Sequence, residues 1–169
     1  MKMLMLCVVG FVVTATVFWA EADSGDESAS ADLINGKGER IGTATLSQVR
    51  DEVRIRVVIS KLPPGLHAMH IHTGDFKSAG AHFNPYGKKH GAQNKDGPHA
   101  GDLPNFEVRE DGTAQVEVSS LLVTLRQGRN SLLASGKTCL VIHENPDDGV
   151  TDPTGNAGAR LACGTILKQ

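Results

Sequence analysis

The clearest pattern along the chain runs from Asp51 to Ser60. Val53, Ile55, Val57 and Ile59 alternate with Arg54, Arg56 and Val58. An apolar period of two with one polar face predicts a half-buried antiparallel strand. Arg40 to Val49 alternates more weakly and is rich in Thr, which suits a partner strand. Asn35-Gly36 and Lys37-Gly38 supply turn chemistry ahead of it. Asn105–Glu110 and Thr113–Ser119 flank Asp111-Gly112, a hairpin signal. Thr138–His143 and Arg160–Leu167 read as two further strands. Leu121–Gln127 could form one helical turn or none, and no longer helix is predicted. Short strands separated by turns point to a β-sandwich or barrel.

Two stretches break this rhythm. Pro63 to Pro104 holds seven Gly and five Pro and few apolar runs, so it reads as one long loop. Asn145 to Gly158 has the same character. A compact domain seldom carries a loop of 40 residues without something besides a hydrophobic core to order it.

The N-terminus follows a different logic. Lys2 precedes an apolar run from Met3 to Ala20, then Ala20-Glu21-Ala22 and a polar stretch from Asp23 to Ser30. This order predicts a secretory signal peptide over residues 1–22, cleaved after Ala22. An uncleaved anchor is the alternative, and its apolar run is short for a span. Residues 23–30 are expected to be a flexible segment, and residues 31–169 the folded domain. Export places the product in a periplasmic or extracellular compartment, without stable membrane contact once the leader is removed. Cys7 leaves with the leader. Cys139 and Cys163 remain, either as a disulfide or as two unpaired thiols.

Composition narrows the function classes. The 169 residues carry 17 Lys+Arg against 19 Asp+Glu, a net charge of −2, which disfavours a nucleic-acid footprint. An apolar fraction of 40% supports one core and not a multi-span membrane protein. Aromatics at 4% and 19 Gly fit many turns between short elements, and exclude coiled coil, collagen and wholesale disorder.

The histidines carry the chemistry. Six of the seven fall between His67 and His99, inside the long loop, and His143 ends a predicted strand. In an extended His70-Ile71-His72 segment the two imidazoles share one face, with Met69 and Ile71 on the other. His82, His90 and His99 follow, and Asp102 closes the series. Ring nitrogens with one carboxylate suit zinc or copper, and a metal would explain how the loop is ordered.

Here the chain resembles the copper/zinc superoxide dismutases. Gly65-Leu66-His67-Ala68-Met69-His70-Ile71-His72 resembles the family's first ligand motif, and Ser78-Ala79-Gly80-Ala81-His82-Phe83-Asn84-Pro85 its bridging-histidine segment. Lys89-His90-Gly91, His99-Ala100-Gly101-Asp102-Leu103 and Val141-Ile142-His143-Glu144 follow in the family's order. Gly155-Asn156-Ala157-Gly158-Ala159-Arg160-Leu161-Ala162-Cys163-Gly164 completes it. The resemblance implies an eight-stranded antiparallel Greek-key β-barrel, of the immunoglobulin-like sandwich type, with two long functional loops. It implies copper on His70, His72, His82 and His143, and zinc on His82, His90, His99 and Asp102. His82 would bridge one copper and one zinc ion per chain. Asp147 is implied to link His70 and His90, and His67 to be a structural hydrogen-bonding residue. Arg160 would bind and orient the superoxide anion. The implied reaction is dismutation, with copper cycling, zinc static, and His82 releasing copper to take a proton. A metal buffer without activity, built on the same fold, is the competing reading.

The chain also departs from that family. Gly74-Asp75-Phe76-Lys77-Ser78 contains no cysteine, so Cys163 lacks its usual disulfide partner. A Cys139–Cys163 bridge is the remaining possibility, and Cys139 lies in phase with His143. The loop from Asn145 to Thr154 is short and lacks the family's steering cluster, a task Lys88 and Lys89 could take over. The dimer of the eukaryotic relatives does not carry over, which leaves a monomer or a different homodimer.

Overall fold

The computed structural model describes residues 27–134 and 137–169, and these contain ten strands and no helix. They are β1 (Ser28–Asn35), β2 (Arg40–Val49), β3 (Glu52–Ile59), β4 (Gly65–His67), β5 (Met69–Thr73), β6 (Phe106–Val108), β7 (Ala114–Ser120), β8 (Thr138–His143), β9 (Arg160–Thr165) and β10 (Leu167–Lys168). The main sheet is antiparallel in the order β5-β8-β9-β1-β2-β3-β7, with β10 on β1, and β4 pairs separately with β6. β4 and β5 are one run of chain that changes partner at Ala68. β6 leads into β7 through the Asp111-Gly112 turn. The two edges of the curled sheet are thereby joined, which gives the Greek-key barrel its eight strands once β4 with β5 and β9 with β10 are each counted as one.

The core is aliphatic. Leu33, Leu46, Val53, Ile55 and Val57 from one wall meet Met69, Ile71, Leu140 and Ile142 from the other, all essentially without solvent exposure. Each such side chain contributes about 1.5–3 kcal/mol on burial. β3 is buried at every second residue, as its alternation predicts.

Two expectations need correction and two open alternatives are resolved. First, Ser28–Ser30 are not a flexible leader to the domain. They already belong to β1, where Ala29 is buried and pairs with Leu46 on one side and Lys168 on the other. Second, the stretch Pro63–Pro104 is not loop throughout. Met69 and Ile71 fill the core, so the segment is held as β5 against β8, and the loop proper begins after Thr73. Third, Leu121–Gln127 forms no helical turn, because Gln48 Oε1 accepts from Thr124 Oγ1 at 2.8 Å and Leu125 N at 2.8 Å and holds the segment in bends. Fourth, Cys139 and Cys163 are free buried thiols. Cys139 faces Thr165 and Cys163 faces Val141, so the two are diagonal across β8 and β9. Diagonal neighbours sit about 7–8 Å apart at Cα, beyond the usual span of a disulfide. The expected signal peptide, residues 1–22, lies outside the described residues. Among those described, no helix is long and apolar enough to cross a membrane.

Candidate metal centre

The pleat of β5 divides its side chains. Met69 and Ile71 enter the core, while His70 and His72 point to the outer face. That face stays dry: His70 is 0% and His72 2% exposed. The two long loops lie over it. The first is pinned along β5, where Phe83 N donates to Ile71 O at 2.8 Å and Ile71 N to Gly101 O at 2.8 Å. A side chain at Gly101 would strike the Ile71 carbonyl, so only glycine lets the loop come this close. Single bridges then set His72 beside His82 and His70 beside Asp102. His143 arrives from the end of β8.

Three groups of ligand atoms result, of which the third, His70, His90 and Asp147, is joined by hydrogen bonds and links the other two. In the first, His70, His72, His82 and His143 offer one nitrogen each, all within 4.8 Å of one another. His72 Nε2 and His143 Nε2 are 3.2 Å apart. His70 Nδ1 and His82 Nε2 are buried and have no hydrogen-bond partner. An unpaired buried ring nitrogen costs about 1–3 kcal/mol, and two in one pocket mark a place built for an electron-pair acceptor. The remaining ring nitrogens are committed elsewhere: His70 Nε2 to Asp147 Oδ2 at 2.7 Å, His72 Nδ1 to Gly80 O at 2.9 Å and His143 Nδ1 to Gly158 O at 3.3 Å.

In the second group, His82, His90, His99 and Asp102 converge. Asp102 Oδ1 lies 2.9 Å from His82 Nδ1, 3.2 Å from His90 Nδ1 and 3.2 Å from His99 Nδ1, and His99 Nδ1 is 3.4 Å from His82 Nδ1. A tetrahedral ion with ligands at 2.0–2.1 Å sets its donors about 3.3 Å apart, so these edges fit zinc. Asp102 Oδ2 is fixed by Gly91 N and His99 N, both at 2.9 Å. His82 belongs to both groups, with one ring nitrogen turned to each.

Asp147 ties the groups together. Its carboxylate accepts from His70 Nε2 and, at 3.0 Å, from His90 Nε2. Gly155, at φ 63°, packs on this contact, and a Cβ there would collide with Asp147 and His90. His67 stands outside both groups and is hydrogen-bonded to His143 O and Pro63 O, each at 2.8 Å.

Electrostatics follows the packing. Burial, reinforced by neighbouring His82, lowers His70 to about 4. Burial likewise lowers His72 to about 3 and His143 to about 4. All three are therefore neutral near pH 7, the form in which imidazole binds a metal. Burial also opposes charge on His90, but hydrogen bonds to Asp102 and Asp147 prevail and raise it to about 9. Asp102 is buried too, yet its hydrogen bonds to His82 and His90 hold it far below the ordinary carboxylate range.

A cavity opens from the first group to solvent. His72, His82, His143, Lys88, Asp152 and Arg160 are among its lining residues. Arg160 donates from Nη1 to Ala79 O at 2.6 Å and from Nη2 to Gly80 O at 2.9 Å. Of the residues singled out in the sequence, six histidines and Asp102 fall into these groups, Asp147 joins them, Arg160 lines the cavity, and His67 lies outside. Three contributors escaped sequence reasoning. The Gly80 carbonyl serves both His72 and Arg160. Asn105 clamps the Asp147 backbone at 2.8 and 2.9 Å. Asp152 accepts from His90 N at 2.8 Å. None of these carries a local sequence signal, since a backbone carbonyl has no residue identity and the two side chains act across 42 and 62 residues.

The chain matches the family model described as copper/zinc superoxide dismutase (SODC) over residues 40–166. It is 50% identical over 144 residues to "Superoxide dismutase [Cu-Zn] 1" of Aquifex aeolicus, covering 80% of this chain and 85% of that one. It is 42% identical over 148 residues to "Superoxide dismutase [Cu-Zn]" of Caulobacter vibrioides, covering 82% and 85%. Among solved structures, a double mutant of a SOD-like protein from Bacillus subtilis superposes with a TM-score of 0.77 at 38% identity, covering 82% of this chain and 96% of that one.

Proposed function

The chain belongs to the copper/zinc superoxide dismutase family, and from that premise we propose how its residues divide the work. The reaction consumes two superoxide anions and two protons and yields oxygen and hydrogen peroxide. Copper would be held by His70, His72, His82 and His143, whose free nitrogens are His70 Nδ1 and the Nε2 atoms of the other three. Zinc would be held by His82, His90, His99 and Asp102, with the three Nδ1 atoms turned toward the carboxylate. The observation that carries this assignment is the pair of buried, partnerless nitrogens, His70 Nδ1 and His82 Nε2, facing His72 and His143.

Copper, when bound, supplies the one-electron exchange between successive superoxides. The protein supplies the rest. Arg160, which lines the cavity, binds the anion and orients it by its guanidinium fork. His82 Nε2, when not bonded to copper, would hold one proton and deliver it to the anion. Asp147 and the Gly80 and Gly158 carbonyls fix the tautomers of His70, His72 and His143, so that each presents its free nitrogen inward. Lys89 is paired with Asp152 at 3.3 Å, whereas Lys88 has no ion pair among the described residues and lines the cavity. Steering of the anion therefore falls to Lys88. The Lys2-led apolar run and Ala20-Glu21-Ala22 support export through a cleaved leader.

Reconstitution tests the reading. Protein loaded with both metals dismutates superoxide, and protein loaded with zinc alone does not. Arg160→Ala keeps both metals and loses roughly ten- to a hundredfold in rate. Folded zinc protein that gains nothing from copper identifies a metal buffer instead.

A further inference from the structure

Arg160 is aimed by two carbonyls, Ala79 O and Gly80 O, and both lie on the short connection from Gly74 to Ala81. That connection is exposed and contains no cysteine, so nothing covalent fastens it. Its fastening is polar. Gly74 N donates to Lys137 O at 2.6 Å, and Phe76 N to Thr165 Oγ1 at 3.0 Å. Asp75 does the most. Its Oδ1 accepts from Lys77 N at 3.0 Å, Ser78 N at 3.1 Å and Ser78 Oγ at 2.8 Å, and its Oδ2 accepts from Lys137 Nζ at 3.1 Å. One carboxylate therefore closes the turn internally and ties it to the chain just ahead of β8. Beneath the far end of the turn, Ala79 packs on the free thiols Cys139 and Cys163.

We propose that Asp75 is a positioning residue for dismutation: it clasps the Gly74–Ala81 turn so that the Ala79 and Gly80 carbonyls hold Arg160 over the metal pocket. The inference rests on Arg160 being the anion-binding group. The clasp has a second consequence, since Gly80 O also receives His72 Nδ1. Loosening the turn frees the guanidinium and uncovers the thiols. The Ser78 hydroxyl, with Lys137 beside it, lowers the Asp75 carboxyl to about 2, which matches a carboxylate held in its charged, accepting form.

The test uses the copper- and zinc-loaded full protein, with azide as the anion probe read by visible absorption and a colorimetric disulfide reagent as the thiol probe. Asp75→Ala weakens azide binding by roughly three- to tenfold and speeds labelling of Cys163, with both metals retained. Asp75→Asn keeps the turn's acceptor, loses the charge on the Lys137 tether, and falls between Asp75→Ala and the parent. In an Arg160→Ala background, Asp75→Ala causes no further loss of azide affinity, because the two residues act as one unit. The proposal is overturned if Asp75→Ala leaves azide affinity unchanged while Arg160→Ala lowers it, and in that case the reading of Arg160 survives. It is also overturned if the two losses add. If Arg160→Ala has no effect on azide, the anion-binding reading falls and takes the role of Asp75 with it.

Discussion

The barrel has two walls that use the same pleat in opposite ways. In β1-β2-β3-β7, the inner residues are aliphatic and the outer ones meet water: Val53, Ile55, Val57 and Ile59 are buried, while Arg54, Arg56 and Val58 are exposed. In β5-β8 the outer residues are buried as well, with every position of β8 and four of five in β5 out of solvent. Water is kept from that wall by two loops that contribute little apolar surface. The first wall is stable because of what it hides from water. The second is organised by imidazoles and carboxylates that need an ion to be satisfied. Folding and function thus draw on separate parts of one sheet.

The largest break in this comparison comes from acid. His70, His72 and His143 are lowered to about 4, 3 and 4 in the folded chain against about 6.5 when unfolded. As pH falls from 6.5 towards 4, the unfolded chain binds protons that the folded one refuses, so stability is lost across that window. His90, raised to about 9, works the other way and is fully stabilising below 6.5. Three groups outweigh one, and metal-free protein loses on the order of 5 kcal/mol between pH 7 and pH 5. Bound metals compete with those protons and shift the loss to lower pH. Denaturant midpoints against pH, with and without metals, check this. A metal-free midpoint that does not move with pH refutes it.

Next in size is a core truncation in the other wall. Ile55 is fully buried on β3, remote from both ligand groups. Ile55→Ala costs about 2–5 kcal/mol through lost transfer energy and the cavity left behind. The same cost is expected in metal-loaded and metal-free protein. Guanidinium unfolding of both forms measures it, and a cost confined to one form breaks the separation of the walls.

The two walls were also unequally legible. β3 could be read because four β-branched residues alternate with polar ones. β1 could not, because Ser28–Asn35 is small and polar, and only Ala29, Ala31 and Leu33 face inward. β5 hid within a Gly- and Pro-rich stretch, where two core residues alternate with two histidines and no run of apolar residues marks a strand. The ligands themselves were accessible, since imidazole and carboxylate types are written in the sequence and their order matches a known pattern. What positions them was not. Gly80 O, Gly158 O and the Asn105–Asp147 clamp follow from backbone placement across the loops, which residue types do not encode.

Asp147 offers the finest division between the walls. It touches no core residue's role and is no ligand in the proposed assignment, yet its two oxygens orient His70 in one group and His90 in the other. In Asp147→Asn, one oxygen still accepts, but the amide nitrogen meets a ring N–H, donor against donor. One histidine must turn, and its metal-facing nitrogen turns with it. Loss of such an orienting partner weakens metal binding by roughly 10–100-fold, equivalent to about 1.4–2.7 kcal/mol. Competition with a chromophoric chelator reads this for zinc and copper separately, and the loss should fall on both because the carboxylate serves both groups. Metal-free stability should change by less than the affinity does. If instead the metal-free chain is destabilised by as much as the metals are weakened, Asp147 acts mainly by fastening the Asn145–Gly158 loop through Asn105 and Gly149, and the loop holds its shape before any ion arrives.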